Sequence, residues 1–323
     1  MQASDEASAK HPPWSDFWSQ TRQGAIDLAA TDPVATALRE HWLAQMAWLA
    51  GCTNVADVGS GPAVLPRMLL KHAPDALAGL RWVCLDQAHV PHGPDIPPEV
   101  DLRTGEDFVS SSPGELLVDA LISNFGVEYV TDQTLLASAC ARWLPTAGRL
   151  HVVVHSKASV IDQASGESAD DIIWALEDVR LFDIAGQLFT SIASVPHDPI
   201  ARMMHGVEVR DVYNAAVNRL KTRMQDRGSR SPVLIDMLNA IRSLADLAAR
   251  GQPAQAHNVL DQMAAAFRGE VSLHRAMQSS ALDESRLDEL ESALGISGFG
   301  DILREPLGCE LGPIAWVVSA RRL

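Results

Sequence analysis

Residues 54–63, Asn-Val-Ala-Asp-Val-Gly-Ser-Gly-Pro-Ala, constrain the fold more than any other stretch of this chain. The apolar residues around Asp57 predict a short buried strand, and Gly59 and Gly61 predict the tight turn that follows it. Residues 64–71 then predict a helix. A strand, a glycine turn and a helix in this order let the backbone approach a nucleotide-like ligand, because no Cβ atom blocks the approach.

The side chains of this turn indicate which ligand it accepts. A dinucleotide fingerprint has a third small residue, usually Gly, three places after the second Gly, and that position here is Val64. A buried carboxylate such as Asp57 repels a pyrophosphate, whereas it accepts a hydrogen bond from an ammonium group. These features favour a nucleoside that carries an amino acid over a dinucleotide.

Residues 57–63, Asp-Val-Gly-Ser-Gly-Pro-Ala, resemble the first motif, Asp/Glu-x-Gly-x-Gly-x-Gly, of the class I S-adenosylmethionine-dependent methyltransferases. The last Gly of the motif is replaced by Ala, which leaves less room in the turn. The resemblance implies that S-adenosyl-L-methionine is the cofactor and S-adenosyl-L-homocysteine the product. It also implies that Asp57, Gly59, Ser60 and Gly61 bind the cofactor.

Short apolar strands alternate with helices through the first half of the chain. This alternation predicts a parallel sheet with helices on both faces. The resemblance, which covers residues 50–156 and 282–323, implies a doubly wound α/β fold whose mostly parallel sheet has seven strands, the last of them antiparallel. The strands are predicted over residues 55–58, 80–85, 102–104, 116–123, 149–154, 299–307 and 313–320.

The pattern changes to helices alone after the fifth strand. Residues 157–281 predict a helical insert that is too long for a simple crossover connection. Its helices are predicted over residues 170–191, 208–224, 232–250 and 254–277. A substrate lid and a homodimer interface are two uses of such an insert, and the sequence leaves both open.

We therefore expect three parts in the chain. They are an N-terminal helical segment over residues 1–51, a Rossmann-like cofactor-binding domain over 52–156 and 282–323, and the insert over 157–281. The first segment contains several aromatic residues, Trp14 and Trp18 among them. These side chains either pack in the core or cover the cofactor.

Ligands of open α/β sheets bind at the carboxyl ends of the strands, so residues at those ends are candidates for the site. Asp86 ends the second strand, where a carboxylate can accept hydrogen bonds from both ribose hydroxyls, and Gln87 follows it beside the ribose or adenine. The resemblance implies that Asp107 binds the adenine amino group and that Phe108 stacks on the ring. A helix-capping acid and a core Phe explain the same two residues equally well.

Residues 123–129, Ser-Asn-Phe-Gly-Val-Glu-Tyr, follow the fourth strand. Asn124 and Phe125 fall at the position of the fourth methyltransferase motif, which implies a place under the methionine end of the cofactor. The Asn-Pro-Pro-Tyr motif of relatives that methylate nucleic-acid amines is absent. Glu128 and Tyr129 are predicted to face the active site.

His155 ends the fifth strand and is the main candidate for a general base, because the pKa of an imidazole lies near neutrality. A helix-capping or structural His is the alternative. His151, earlier in the same strand, is interpreted as structural. His197 and His205 in the insert are further candidates, and the sequence does not rank them.

Composition limits the possible partners. Acidic residues outnumber basic ones by 41 to 26, and the resulting net charge of −15 disfavours nucleic acid and anionic membranes. Residues 227–230 are the best local basic candidate. The four cysteines are widely spaced without a metal-ligand pattern, and no apolar signal segment opens the chain. We expect a cytoplasmic protein without a metal site or membrane contact.

These observations predict methyl transfer to a small-molecule acceptor, most simply to oxygen, with His155, Glu128 and Tyr129 as catalytic candidates. The alternative of another class is a non-catalytic binding or scaffold protein that keeps the fold and presents the insert to a partner. A nicotinamide-dependent oxidoreductase explains Asp86 and the strand–helix–strand unit, but it does not explain Asp57 or Val64.

Overall fold

A seven-stranded sheet forms the centre of the structure, a computed structural model. The sheet has the strand order β3-β2-β1-β4-β5-β7-β6. The strands are β1 Asn54–Val58, β2 Arg81–Asp86, β3 Val100–Thr104, β4 Ala120–Asn124, β5 Arg149–His155, β6 Phe299–Cys309 and β7 Gly312–Arg322. The structure describes residues 13–20, 28–114, 117–194, 205–227 and 231–323.

The strand pairing confirms the predicted fold class. Strands β1 to β5 run parallel to one another, whereas β7 runs antiparallel to both β5 and β6. This is the doubly wound, mostly parallel sheet that the resemblance to the class I methyltransferases implied. The strand order reverses between β1 and β4, and open α/β sheets bind their ligands at such a point.

Both faces of the sheet are covered, which explains why the central strands are apolar runs without alternation. On one face, Ala56 and Val58 of β1 belong to a core that includes Leu136. On the other face, Val55 packs in a second core that includes Trp42. The carboxyl ends of the central strands are therefore held in place by a packed core on each face of the sheet.

The helices begin and end close to the predicted limits, with one exception. Residues 170–191, predicted as one helix, are divided between two helices by a π-helical turn over Trp174–Asp178 and by Arg180, whose φ of 57° is left-handed. The helices are α1 Pro13–Gln20, α2 Pro33–Ala44, α3 Met46–Leu49, α4 Val64–His72, α5 Gln133–Trp143, α6 Val160–Ile173, α7 Leu181–Ala193, α8 Val207–Asp226, α9 Pro232–Ala249, α10 Pro253–Ser280 and α11 Glu284–Ile296.

The chain divides into two compact units. Unit 1 comprises the described parts of residues 1–163 and 276–323 and contains the sheet, whereas unit 2 comprises those of 164–275. Unit 2 is helical and has its own hydrophobic core, in which Phe189 and Ile241 are fully buried. The division lies near the predicted limits of the insert, whose role as a lid or dimer interface stays a prediction.

Several predicted features concern metals, membranes or residues outside the described ranges. In the described ranges, no helix is both long and apolar enough to cross a membrane, and no group of three His, Cys, Asp or Glu side chains could hold a metal ion. All four cysteines are free thiols. Residues 1–12, His197 and residues 228–230 lie outside the described residues.

Candidate active site

A cavity of about 310 Å³ lies at the carboxyl ends of β1, β2, β4 and β5, within unit 1. All ten predicted cofactor-binding residues line it, together with His155 and Tyr129. Glu128 does not line the cavity and lies buried behind His155. The ten residues are Asp57, Gly59, Ser60, Gly61, Asp86, Gln87, Asp107, Phe108, Asn124 and Phe125.

The two glycines of the turn after β1 are required by left-handed backbone and by close neighbours. Gly59 has a φ of 69°, and a Cβ atom there would lie 2.4 Å from the Cα atom of Gly126. Gly61 has a φ of 52°, and a Cβ atom there would lie 2.8 Å from the indole ring of Trp18. The turn is therefore pressed between the end of β4 and α1, so that larger residues at either position would displace it.

Gly126 is a site residue that the sequence analysis missed. A Cβ atom at this position would lie 2.3 Å from the carbonyl oxygen of Val58. Beside it, Ser123 Oγ donates a hydrogen bond of 2.6 Å to the same Val58 oxygen. The ends of β1 and β4 thus meet backbone to backbone. The sequence signal that could have identified Gly126 is its place directly after the predicted site residues Asn124 and Phe125.

Asp57 is a buried acid in the cavity lining, and one of its carboxyl oxygens lacks a hydrogen-bond partner in the described chain. Its side chain is buried, and its Oδ2 atom has no hydrogen-bond partner among the described residues. Burial, together with the nearby Asp86 carboxylate, raises the pKa of Asp57 well above its usual value. A bound cation would supply the missing partner and favour the ionised carboxylate.

Asp86 holds the glycine turn in shape. Its Oδ2 atom accepts a hydrogen bond of 2.7 Å from the Gly61 N–H, and its Oδ1 atom accepts one of 2.8 Å from the Ala88 N–H. Burial raises the pKa of Asp86, while these two hydrogen bonds act in the opposite direction. Each oxygen keeps a lone pair for a ligand hydroxyl, so the predicted ribose contact is compatible with the structural one.

Asp107 and Phe108 combine the two interpretations that the sequence left open. Asp107 Oδ1 accepts a hydrogen bond of 3.1 Å from the Val109 N–H, as a capping acid does. Phe108 is buried in the core, with its ring 5.9 Å from that of Trp143. Both side chains nevertheless line the cavity.

Asn124 and Phe125 line the cavity and also contact side chains of α2 and β5. Asn124 Oδ1 accepts a hydrogen bond of 2.8 Å from Trp42 Nε1 of α2, which fixes the orientation of the amide. Phe125 has a left-handed φ of 62°, and its ring stacks on that of His155 at 4.1 Å, with an angle of 8° between the planes. This stacking holds the imidazole in the cavity wall.

His155 and Glu128 form a buried pair. Glu128 Oε1 accepts a hydrogen bond of 3.1 Å from the backbone N–H of His155 and lies 3.9 Å from His155 Nε2. Burial lowers the pKa of His155 to about 3 and raises the pKa of Glu128 to about 7. The imidazole is therefore neutral near pH 7, where the carboxyl group changes its charge.

Helix α1 contributes aromatic side chains to the cavity wall, so these residues both pack and line the site. The ring of Trp14 stacks 5.8 Å from that of Trp18 and meets Tyr129 edge-on at 5.8 Å. Trp14 Nε1 and Tyr129 Oη have no hydrogen-bond partner within 3.5 Å in the described chain, but the Ser280 and Trp14 side chains lie close enough to the Tyr129 hydroxyl to act against the rise of its pKa. Burial raises the pKa of Tyr129, so its hydroxyl stays a donor.

His151 and His205, the other described histidines that the sequence analysis considered, do not line the cavity. His151 Nε2 lies 3.0 Å from His41 Nε2 of α2, and the two rings are stacked. Burial, followed by the effect of His41, lowers the pKa of His151 to about 4. This pair links α2 to the sheet. His205 belongs to unit 2, where its Nε2 atom lies 2.8 Å from the carbonyl oxygen of Ser191.

Comparisons with known proteins add remote structural likenesses. No family model matches the sequence, and no curated protein matches it. The crystal structure of human N-acetylserotonin methyltransferase in complex with SAM is similar at 12% identity and a TM-score of 0.37, over 90% of this chain and 55% of that chain. The DszA carbon methyltransferase is similar at 11% identity and a TM-score of 0.45, over 91% and 56%.

A third similar structure is the N-methyltransferase NodS from Bradyrhizobium japonicum, at 15% identity and a TM-score of 0.28, over 38% of this chain and 71% of that chain. The present chain thus spans little more than half the length of the first two proteins. Likenesses at this level carry no argument about chemistry. The fold assignment rests on the strand order and pairing of the sheet.

Proposed function

We propose that this protein transfers a methyl group from S-adenosyl-L-methionine to a small-molecule acceptor. The observation that carries the proposal is the buried Asp57 carboxyl group, which has an unpartnered Oδ2 atom and belongs to a residue that lines a cavity at the strand ends. An α-ammonium group would supply the missing hydrogen bond and charge. An amino acid joined to a nucleoside offers that group beside the hydroxyls that Asp86 can accept.

The remaining residues of the cavity fit the same cofactor. Gly59, Ser60 and Gly61 form a cradle that any Cβ atom on its glycines would obstruct. Among the described residues that line the cavity there is no Lys or Arg, which suits a sulfonium cofactor with a net positive charge and disfavours a pyrophosphate. In this proposal the ribose and adenine contact Asp86, Gln87, Asp107 and Phe108, and the methionine end contacts Asn124 and Phe125.

The cofactor, when bound, supplies a methyl group that its sulfonium already activates. The protein's own part is to orient the acceptor and to exclude water. The aromatic wall formed by Trp14, Trp18 and Phe125 suits a flat, apolar acceptor. Tyr129 would orient that acceptor by donating its O–H to an acceptor oxygen.

Transfer to oxygen requires a group that accepts the hydroxyl proton, and His155 is the proposed base. Its imidazole is neutral at pH 7, but burial lowers its pKa to about 3, below the near-neutral value expected from the sequence, so it is a strong enough base only when a neighbouring anion stabilises the imidazolium. The imidazolium so formed is stabilised by the Glu128 carboxylate once that group has ionised. Activity is thus expected to rise with pH through about 7, the pKa of Glu128.

The wider features of the proposal come from the sequence. The net charge of −15 favours a small-molecule acceptor over nucleic acid. The helical insert acts as a lid or as a homodimer interface, and the protein works in the cytoplasm. The insert would then determine which acceptor is used.

Calorimetric titration of the purified protein with S-adenosylmethionine and S-adenosylhomocysteine tests the cofactor. We expect micromolar binding that Asp86→Ala weakens at least tenfold, because that change removes the ribose contact and loosens the Gly61 turn. Asp101→Ala, which removes an exposed acid of β3, is the matched control and should leave the affinity unchanged. If the folded protein binds neither compound, the proposal fails. Binding of a nicotinamide cofactor would then favour an oxidoreductase, and binding of none would favour the scaffold function.

A further inference from the structure

The last turn of α10 and the two residues after it belong to unit 1, and we term residues 276–282 the return segment. Its first two residues, Ala276 and Met277, line the cavity at the strand ends. Its last residue, Leu282, is buried and bridges to the residue that follows β5. The return segment therefore runs from the cavity lining to the strand that ends in His155.

The return segment holds the backbone at the end of β5. The Leu282 N–H donates a hydrogen bond of 2.7 Å to the carbonyl oxygen of His155, and the Leu282 carbonyl accepts one of 3.0 Å from the Lys157 N–H. The N–H of His155 in turn donates to Glu128 Oε1 at 3.1 Å. The backbone of His155 is therefore held by the return segment at its carbonyl group and by Glu128 at its N–H group.

Arg286, in the first turn of α11, holds the return segment in place. Its Nη1 atom donates to the carbonyl oxygens of Ser280 at 3.0 Å, of Ser279 at 3.3 Å and of Ala281 at 3.5 Å. Carbonyl groups at the end of a helix lack intrahelical donors and carry partial negative charge, so a cation is favourable there. The Arg286 N–H donates to Asp283 Oδ1 at 3.0 Å, which fixes the backbone of Arg286 as well.

The guanidinium group of Arg286 also acts on Glu128. The Oε2 atom of Glu128 and the Nη2 atom of Arg286 are both buried and lack hydrogen-bond partners in the described chain. Burial raises the pKa of Glu128 to about 7, and the charge of Arg286 acts in the opposite direction. Such an attraction extends beyond hydrogen-bonding distance, because the protein interior screens charges less than water does.

The titratable groups that face Glu128 differ in their charge at pH 7. His155 of β5 lies 3.9 Å from Glu128 Oε1 and is neutral, because burial lowers its pKa to about 3. Tyr129, the next residue, keeps its proton, because burial raises its pKa. The guanidinium of Arg286 is always charged. A neutral side chain at position 286 therefore removes the cation that favours the Glu128 carboxylate.

We propose that Arg286 is a positioning residue of the active site, which holds the return segment against the backbone of His155 and stabilises the carboxylate of Glu128. This inference rests on the proposed function, in which ionised Glu128 stabilises the imidazolium that forms when His155 accepts the proton of the methyl acceptor. Arg286 does not line the cavity, so it acts through these two residues. A residue that only supported the carbonyl groups would leave the ionisation of Glu128 unchanged.

NMR titration of the ligand-free full chain with ¹³C-labelled glutamate side chains measures this ionisation, and the Glu128 signal is identified by its absence from Glu128→Gln. Arg286→Gln keeps a hydrogen-bond donor and removes the charge, so the Glu128 midpoint should rise by about half a pH unit or more. Arg286→Lys keeps the charge and should move the midpoint less than half as far. Arg242→Gln removes the same charge from an exposed residue of α9 and should leave the midpoint unchanged.

Hydrogen exchange of the Leu282 amide tests the hold on the backbone. It should accelerate at least tenfold in Arg286→Gln and stay within about threefold of wild type in Arg286→Lys, because Lys still donates to the carbonyl groups. Thermal unfolding shows whether each variant is folded. If Arg286→Gln is unfolded, the wild type supplies the test. Its Arg286 guanidinium signals should shift with pH at the Glu128 midpoint, and this shift should be absent from Glu128→Gln.

The inference is overturned if a folded Arg286→Gln protein keeps the wild-type midpoint, if Arg242→Gln moves the midpoint as far, or if the guanidinium signals of the wild type do not follow Glu128. Leu282 exchange at the wild-type rate in folded Arg286→Gln would also overturn it. None of these measurements uses a ligand. Failure of the proposed function, seen as wild-type protein that binds neither S-adenosylmethionine nor S-adenosylhomocysteine, is therefore distinguished from failure of this inference.

Discussion

At the scale of single residues, the most unusual chemistry belongs to buried carboxyl groups that lack a hydrogen-bond partner. Asp57 and Glu128 are both buried carboxyl groups, and each keeps one oxygen without a hydrogen bond in the described chain. Burial raises the pKa of both. Because an unpaired buried charge is costly, each group either binds a proton or requires a cation nearby. The proposed cofactor supplies that cation at Asp57.

Asp57→Asn should weaken binding of S-adenosylmethionine at least tenfold, because the Asn side chain has no charge for the ammonium group. In the wild type, burial raises the pKa of the free Asp57 and the bound ammonium favours the carboxylate, so binding releases a proton wherever the pH lies below that raised pKa. The affinity should therefore rise with pH through the raised pKa of Asp57. Calorimetry in buffers with different ionisation enthalpies measures the proton release.

The Asp57→Asn protein should lose this buffer dependence. 5′-Methylthioadenosine, which lacks the amino acid, is the ligand control and should bind wild type and variant alike. Equal proton release by wild type and variant would contradict the role of Asp57.

Gly126→Ala should destabilise the protein by about 1–3 kcal/mol, the usual cost of an overpacked position. The reason is the 2.3 Å approach of the new Cβ atom to the carbonyl oxygen of Val58. Cofactor binding should weaken as well, because the Gly59 turn must move. Urea unfolding and calorimetry measure the two effects.

The matched control for this change is Gly269→Ala in α10. Apart from the adjoining backbone of α10 itself, no described atom lies within 4 Å of a Cβ placed there, so this change should be neutral or stabilise the helix by up to about 1 kcal/mol. A Gly126→Ala protein as stable as wild type would show that the strand ends can separate without cost.

The turn that follows β4, together with helix α2, determines where the buried pair of Glu128 and His155 lies. The chain leaves β4 at Asn124 and forms a single 3-10 turn over Val127–Tyr129, and it is this turn that brings Glu128 to the end of β5. Helix α2 holds the same region from the other side through the Trp42–Asn124 hydrogen bond. The position of Glu128 beside His155 is therefore a property of three elements rather than of a motif.

Glu128→Gln should remove a pH-dependent penalty from the folded state. The pKa of Glu128 rises from 4.5 to about 7 on folding. Its stabilising contribution is therefore complete below about pH 4.5 and is lost as pH rises through about 7, a difference of about 3 kcal/mol. Relative to wild type, the Gln variant should gain that amount between pH 4.5 and 8.

Urea unfolding of both proteins across this pH range gives the difference in the free energy of unfolding. Glu310→Gln, which changes an exposed carboxyl group, is the control and should show no such pH dependence. A constant difference between wild type and Glu128→Gln would show that Glu128 ionises normally in the folded protein.

At the scale of the whole molecule, the described chain consists of two compact units. The cavity at the strand ends is lined by described residues of unit 1 alone, and unit 2 has a hydrophobic core of its own. The two ends of unit 1 at which unit 2 is inserted lie close together, because Lys157 and Asp162 both contact Gln278. A short linker can therefore join these two ends of unit 1 in place of unit 2.

Replacing residues 164–275 by a short Gly-Ser linker should leave a folded protein that binds S-adenosylhomocysteine within about threefold of the wild-type affinity. The physical reason is that the described residues of the cavity and both cores of the sheet remain. Circular dichroism and calorimetry are the measurements. A folded deletion variant that no longer binds the ligand would show that unit 2 contributes to the cofactor site.

Much of the lining of the cavity at the strand ends could be predicted from the sequence, because its signals are local. Gly59, Gly61 and Asp57 stand within five residues, and Asp86 ends the next strand. The contacts that surround them were not predictable. The Trp18 ring over Gly61 and the Gly126 backbone against Gly59 join residues that are far apart in the chain.

The sequence by itself determined the order of strands and helices, the sheet and the glycine turn, since apolar periodicity and backbone freedom act over a few residues. Only the tertiary structure decided the burial of Glu128 behind His155 and the unpartnered oxygen of Asp57. Each of these depends on desolvation by segments that are distant in sequence. A pKa or an unsatisfied hydrogen bond therefore emerges only when those segments are packed together.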